Sequence, residues 1–178
     1  MNEPIPLPAE AQRLCHELKA PPRLVAHLRL VHDVAAQIVV GLKKQFPTME
    51  FDGDAVCFGA AIHDWGKVLH PDELVGPGTR HEEDGPRLLE AHGVPSELAR
   101  FACTHGTWND EMLMEDLLVA LSDAVWKGQR IDDLEAFIVQ RIAKQTGQEK
   151  WAVFSALDLL LTEITLLGEA RLAWQAGQ

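Results

Sequence analysis

The sequence predicts an all-α protein, and three observations carry that prediction. Apolar residues recur at steps of three and four in nearly every segment. No stretch shows the strict apolar–polar alternation of a half-buried strand. Proline, glycine and Asx residues cut the chain into helix-length pieces. Taken in order, Pro4, Pro6 and Pro8 make an extended lead-in, and Ala9–Lys19 reads as a short helix stopped by Pro21-Pro22. Leu24, Leu28, Val31, Ala35, Ile38 and Leu42 then mark one face of a helix, which Pro47 closes. Asp52-Gly53-Asp54 offers an N-cap for a helix through Ala55–Lys67. Pro71, Gly76, Pro77 and Gly78 make a loop, and Thr79–His92 a helix that Gly93 ends. Pro95 opens a segment running to His105-Gly106, Asn109 can cap Asp110–Lys127, and Asp132-Asp133-Leu134-Glu135 has capping-box character before Ala136–Gln145. Gly147 stops that helix, and a last one covers Glu149–Trp174. The expectation is a single helical bundle of about seven or eight helices over residues 1–178. Its motif-bearing core would lie at about residues 22–130, with residues 131–178 packing on it or forming an oligomer contact.

Composition narrows the function classes. Hydrophobic residues at 47% and charged residues at 24% are the balance of a soluble globular chain, which excludes wholesale disorder. A formal charge of -11 repels phosphate backbones, so no nucleic acid polymer is expected as a partner, and an anionic substrate needs a local patch of cations. The three cysteines, Cys15, Cys57 and Cys103, form no CxxC pair and give an odd count, unlike a disulfide framework. The first ten residues have neither a basic nor an apolar region of the kind a signal peptide carries. Even the apolar stretch Ala152–Leu172 is cut by Asp158, Glu163, Glu169 and Arg171. The expectation is a cytoplasmic protein with reduced thiols and no membrane partner.

Six residues stand out as candidate ligands. His27 shares the inward stripe of its helix with Leu24 and Val31. His63-Asp64 ends an apolar helix, with Lys67 three residues on. His81 opens a helix after the Gly/Pro loop, His105 closes one, and Asp123 interrupts the apolar run Leu117–Trp126. Each has an ordinary explanation alone: a core histidine bonded to a carbonyl, an Asp64–Lys67 or Lys67–Glu73 ion pair, a histidine at a helix end, an aspartate reaching solvent. Together, four imidazoles and two carboxylates on inward faces or helix ends of one small bundle suit Fe, Mn, Zn, Co or Ni better than Ca. Six ligands exceed what one catalytic ion needs, which points to two divalent ions sharing a carboxylate. Trp65, Trp108 and Trp126 lie near these residues, as packing or as a surface for stacking a base.

The order His27 … His63-Asp64 … Asp123 resembles the HD-domain superfamily of metal-dependent phosphohydrolases. Ala61-Ile-His63-Asp64-Trp-Gly-Lys67 looks like its HDxxK motif. His81 and Thr104-His105 resemble the two added histidines of its binuclear branch, and Leu121-Ser-Asp123 its closing aspartate. The resemblance implies that His27, His63, Asp64 and Asp123 hold one metal and that His81, His105 and Asp64 hold a second, with Asp64 bridging. It also gives Lys67 and Asp64 catalytic roles, Lys67 contacting the phosphate or the water nucleophile. Lys127, Arg130 and Arg80 are candidates for the positive patch around a substrate. The GYP sequence of the cyclic-dinucleotide phosphodiesterases is missing, since Thr107-Trp108 follows His105-Gly106, which argues against that substrate. His32 stands about 140° around the helix from His27 and is read as flanking; His70 and His92 are read as loop and surface residues, and His16 as outside the motif. The implied activity is hydrolysis of a small phosphate ester, a nucleotide among the candidates, as a monoesterase or a diesterase. The same ligand set would also serve an HD-fold diiron oxygenase, or a catalytically silent module that binds a nucleotide. A homodimer through the last apolar helix is a further option.

Overall fold

The computed structural model describes residues 3–178. Ten α-helices follow one another: α1 (Ala9–Glu17), α2 (Pro22–Gln45), α3 (Gly53–Ile62), α4 (Arg80–Ala91), α5 (Ser96–Ala99), α6 (Phe101–Thr104), α7 (Met114–Val125), α8 (Asp132–Thr146), α9 (Lys150–Thr165) and α10 (Gly168–Ala176). Two 3₁₀ turns, Trp65–Val68 and Pro71–Leu74, join α3 to α4. Among the described residues there is no strand, as the periodicity predicts. Eight helices have nine or more residues, while α5 and α6 are single turns.

Helix α2 is the centre of the bundle. Leu24 and Leu28 pack with Ala61, Ile62, Trp65, Leu89 and Ala102 in one apolar cluster. Val31, Val34, Ala35, Ile38 and Leu42 pack with α3, α7 and α9 in a larger one. Each such leucine, removed from water completely, contributes about 1.5–3 kcal/mol. His27 falls between Leu24 and Leu28 on this helix, and its ring packs edge-on to Trp126 with centroids 5.1 Å apart.

Several boundaries differ from the sequence reading, each for a physical reason. Asp52 caps α3 as expected, its Oδ1 accepting from the Asp54 and Ala55 amides at 3.0 Å each. That helix stops at Ile62, however, and the chain turns through His63 and Asp64 into a 3₁₀ turn. Gly66 permits the turn, because a Cβ there would sit 2.0 Å from the His81 carbonyl oxygen. The close approach brings the first turn of α4 against the His63-Asp64 corner. Helix α7 begins at Met114 rather than at Asp110. Asn109 caps only a local turn through the Glu111 amide (2.8 Å), while Asp116 accepts from the Leu113 amide and from the Thr104 hydroxyl and Arg100 guanidinium. The last helix breaks at Leu166-Leu167, where Gly168 approaches Gly128 so closely that a Cβ would lie 2.6 Å from its nitrogen. Buried Arg171 fixes the bend, donating to the carbonyls of Ile164 (2.7 Å) and Trp126 (3.4 Å). The bend lays Leu172 and Gln175 over the end of α7.

Two stretches, Pro22–Gln45 and Lys150–Ala176, are long and apolar enough to cross a membrane by length and composition. Scattered charges, Asp158, Glu163, Glu169 and Arg171 among them, interrupt these runs without removing their apolar average. Helix α2 is just over half buried and carries His27 in its second turn. The second stretch is mostly exposed, and Trp151 and Phe154 line a groove of about 720 Å³ between α8 and α9. Cys15, Cys57 and Cys103 are all free thiols.

Candidate metal centre

Five helices and one turn deliver the six candidate ligands to one place. His27 comes from α2, His63 from the C-terminal end of α3, and Asp64 from the turn beyond it. His81 comes from the first turn of α4, His105 from the end of α6, and Asp123 from the last turn of α7. His63 is fully buried, and Asp64, His81 and His105 are buried as well.

The donor atoms form two groups that meet at Asp64. On one side, His27 Nε2 lies 3.0 Å from Asp64 Oδ2, 3.3 Å from Asp123 Oδ1 and 3.2 Å from His63 Nε2. His63 Nε2 stands 3.4 Å from Asp123 Oδ1 and 3.7 Å from Asp64 Oδ2. On the other side, His81 Nε2 and His105 Nε2 are 3.4 Å apart and lie 3.2 and 3.5 Å from Asp64 Oδ1. A first-row divalent ion with bonds of about 2.1 Å separates neighbouring donors by about 3.0 Å in an octahedron and about 3.4 Å in a tetrahedron. The spacing therefore fits such ions. Two further observations agree. Asp123 Oδ1 is buried and makes no hydrogen bond, because the two imidazoles near it are out of alignment. The facing ring nitrogens need a proton or a cation between them to avoid opposing lone pairs.

On three of the four rings the other nitrogen is held by the protein, which sets the tautomer. His63 Nδ1 donates to the Ala60 carbonyl (2.9 Å) and His105 Nδ1 to the Phe101 carbonyl (3.1 Å). His81 Nδ1 donates to Glu73 Oε2 at 2.7 Å. With the hydrogen on Nδ1, each of these rings is oriented to present its Nε2 to the centre. Glu73 is a functional candidate that the sequence reading missed, weighing it only as a partner for Lys67. Its Oε2 also accepts from the His81 amide (3.1 Å), and its Oε1 from Arg80 Nε (2.8 Å). Burial alone would raise the Glu73 carboxyl, but the bonds from His81 and Arg80 hold it at about 2. Glu73→Gln should weaken metal affinity at the His81–His105 position by about 10–100-fold and spare the His27–His63 position. Competition against a chelator of known affinity checks this, and equal affinity at both positions in the variant would refute it. Glu82, also passed over, offers a carboxylate oxygen within 4.8 Å of ligand nitrogens of His81 and His105.

The electrostatics suit exchange of protons for metal. Burial pushes the Asp64 carboxyl up, yet the surrounding His63, His105, His27 and His81 hold it well below the usual carboxylate range. His27 and His63 do the same for Asp123. Burial depresses His63, so its ring is neutral. For His27 burial also acts downward, but Asp123 and Asp64 outweigh it and raise the imidazole from 6.5 to about 9. A raised imidazole stabilises the metal-free fold fully below 6.5, and that contribution is lost as pH rises through about 9. The melting temperature of chelator-treated protein should therefore fall across this window, and the fall should be absent in His27→Gln. At neutral pH, binding at this position must release the His27 proton, which calorimetry in buffers of different ionisation enthalpy detects.

The other sequence candidates divide. Lys67 donates to Asp64 Oδ2 at 2.5 Å and lines a cleft of about 240 Å³ over the centre. Lys127 lines the same cleft, together with Arg23, Gln175 and Leu172, which the sequence reading did not single out. Arg130 is elsewhere: it is taken up by Glu135 (2.5 Å) and Asp158 (2.9 Å), because Gly128 turns the chain away after α7. Arg80 is not free for a substrate either, since it pairs with Asp72 and Glu73 and serves the centre by holding Glu73. Of the tryptophans, Trp126 lines the cleft and packs edge-on to His27, whereas Trp65 is fully buried and Trp108 packs against the core. His32 bonds the Cys57 carbonyl at 2.9 Å and stays out of the centre, as its position on the helix predicts.

A helical bundle that gathers histidines and aspartates from successive helices around a place fit for divalent ions defines a class of metal-binding helical proteins. Within that class, a family model for the HD domain matches residues 24–144, and the chain belongs to the HD domain family. The match begins just before His27, includes all six candidate ligands and continues into α8, further than the motifs alone reach. No curated protein and no solved structure matches the chain.

Proposed function

We propose that the protein is a metal-dependent phosphohydrolase that acts on a small phosphate ester. The observation that supports this reading best is the division of Asp64, one oxygen facing His27 and the other facing His81, which suits a carboxylate shared between two ions. His27, His63 and Asp123 would hold one ion, and His81 and His105 the other, with Fe, Mn, Zn, Co and Ni all compatible with this donor set. Bound there, divalent ions would supply Lewis acidity to phosphoryl oxygens and lower the pKa of a bound water.

The chain's own residues supply the rest. Glu73, Ala60 and Phe101 fix the imidazole orientations through the Nδ1 hydrogens. Lys67 places an ammonium beside Asp64 at the floor of the cleft, where it can stabilise charge gathering on a phosphoryl group. The Leu172 and Trp126 side chains narrow the approach and limit water around the ester. Protein purified without chelator should contain divalent metal and release phosphate from members of a panel of phosphorylated metabolites and nucleotides. Two irons with a mixed-valence electron paramagnetic resonance signal, and no phosphate release from any ester, would replace this reading with an oxygenase.

A further inference from the structure

The cleft over the centre carries charge that a single phosphate does not use. Three cations line it: Lys67 at the floor, and Arg23 and Lys127 toward the mouth. The carboxylates lining it are Asp64 and Asp123, both turned to the histidines. Lys67 is engaged with Asp64, but among the described residues neither Arg23 nor Lys127 has a carboxylate within ion-pair distance. On a chain with a formal charge of -11, the mouth of this one cleft is locally positive.

The two free cations have related positions. Arg23 precedes the ligand His27 by four residues on α2, and Lys127 follows the ligand Asp123 by four residues just past the end of α7. Four residues are about one helical turn, or about 6 Å along the axis. Arg23 therefore starts one turn before its ligand on α2, and Lys127 sits in the turn that follows α7, both exposed at the rim of the cleft. A phosphate seated on the ligands already has Lys67 beside it, and a second anionic group a few bonds away would meet Arg23 and Lys127. Trp126, only 5% exposed, forms part of the cleft wall, and Gln175, whose amide reaches the Arg23 carbonyl at 3.5 Å, adds a polar group at the same mouth. The volume, about 240 Å³, is below that of pockets for drug-sized ligands.

We infer that the substrate is a compact phosphate ester with a second anionic group, a carboxylate or another phosphate, on a short carbon chain, and that Arg23 and Lys127 bind this second group. The inference rests on the reading of the centre as a phosphate site. Its test uses binding rather than turnover, so that the two stand or fall separately. The probes are 3-phosphonopropionate and propylphosphonate, alike in size and differing by one carboxylate, titrated calorimetrically into the metal-loaded protein. The wild type should bind 3-phosphonopropionate at least tenfold more tightly. Arg23→Gln and Lys127→Gln should each reduce that ratio to less than threefold while holding the wild-type metal content. A wild-type ratio near one, or a ratio that survives in both variants, would overturn the inference even if phosphate esters are hydrolysed. A tenfold ratio that both variants abolish, in a protein that hydrolyses no ester, would uphold the second anion subsite and reject the hydrolase reading instead.

Discussion

Asp64→Ala is expected to empty both metal positions together and abolish phosphate release. Asp64 is the residue with an oxygen in each donor group, 3.0 Å from His27 on one side and 3.2 Å from His81 on the other. Its side chain is only 2% exposed, enclosed by the histidines it would serve. Removing it leaves His81 and His105 with no carboxylate of the shared kind, and leaves the first position with Asp123 as its one charged ligand. It also removes a carboxylate that raises His27, so the metal-free variant should lose part of the stability that the wild type shows below pH 6.5. The comparison variant is His81→Ala, which should lose one equivalent of metal and keep the other, because His81 touches only the Oδ1 side. Metal content per chain, measured on both variants, separates a shared carboxylate from an ordinary ligand. Two equivalents bound to Asp64→Ala would show that Asp64 bridges nothing.

The parts of this centre that the sequence revealed are those where a local pattern and a chemical oddity coincide. His27 shows because it falls on an apolar stripe with a period of 3.6, and Asp123 because a carboxylate inside an apolar helix is expensive without a partner. The helix-forming segments were legible for the same reason, since each carries its own periodicity. What stayed hidden depends on contacts between segments. Glu73 sits in a loop with no periodicity, eight residues before the histidine it holds, and nothing local distinguishes it from Asp72 or Glu82. Arg80 and Arg130 looked alike as loose cations near the motifs. Only the folded chain shows that their carboxylate partners, Glu73 and Asp72 for one and Glu135 and Asp158 for the other, consume both. Arg23 was passed over because it sits beside Pro22 at a helix start, and its tie to the centre is a matter of one helical turn across a cleft. The break between α9 and α10 was missed because no proline marks it; it follows from the approach of Gly168 to Gly128, residues 40 apart in the chain.

Lys67→Met should hold its metal and lose most of its rate. The side chain is 20% exposed, lies one turn beyond Asp64 and places its ammonium 2.5 Å from Asp64 Oδ2 at the floor of the cleft. A protonated amine has no lone pair, so it cannot be a ligand. Its contribution must be electrostatic, to the phosphoryl group or the water nucleophile as negative charge builds. Loss of one such preorganised contact costs about 10²–10³ in rate, or about 2.7–4 kcal/mol. Methionine keeps the length and the apolar stem of the side chain and removes only the charge. The competing explanation is an ion pair that steadies Asp64 and does nothing else; pairing with Glu73 is excluded by geometry, since that carboxylate is engaged with His81 and Arg80. A merely structural pair predicts a lower melting temperature, weaker metal retention and, at saturating metal, an unchanged rate. An electrostatic role at the reacting phosphoryl group predicts full metal content and a rate reduced at every metal concentration. Metal content, melting temperature and turnover measured on one preparation of the variant distinguish the two, and an unchanged rate at saturating metal would remove Lys67 from the mechanism.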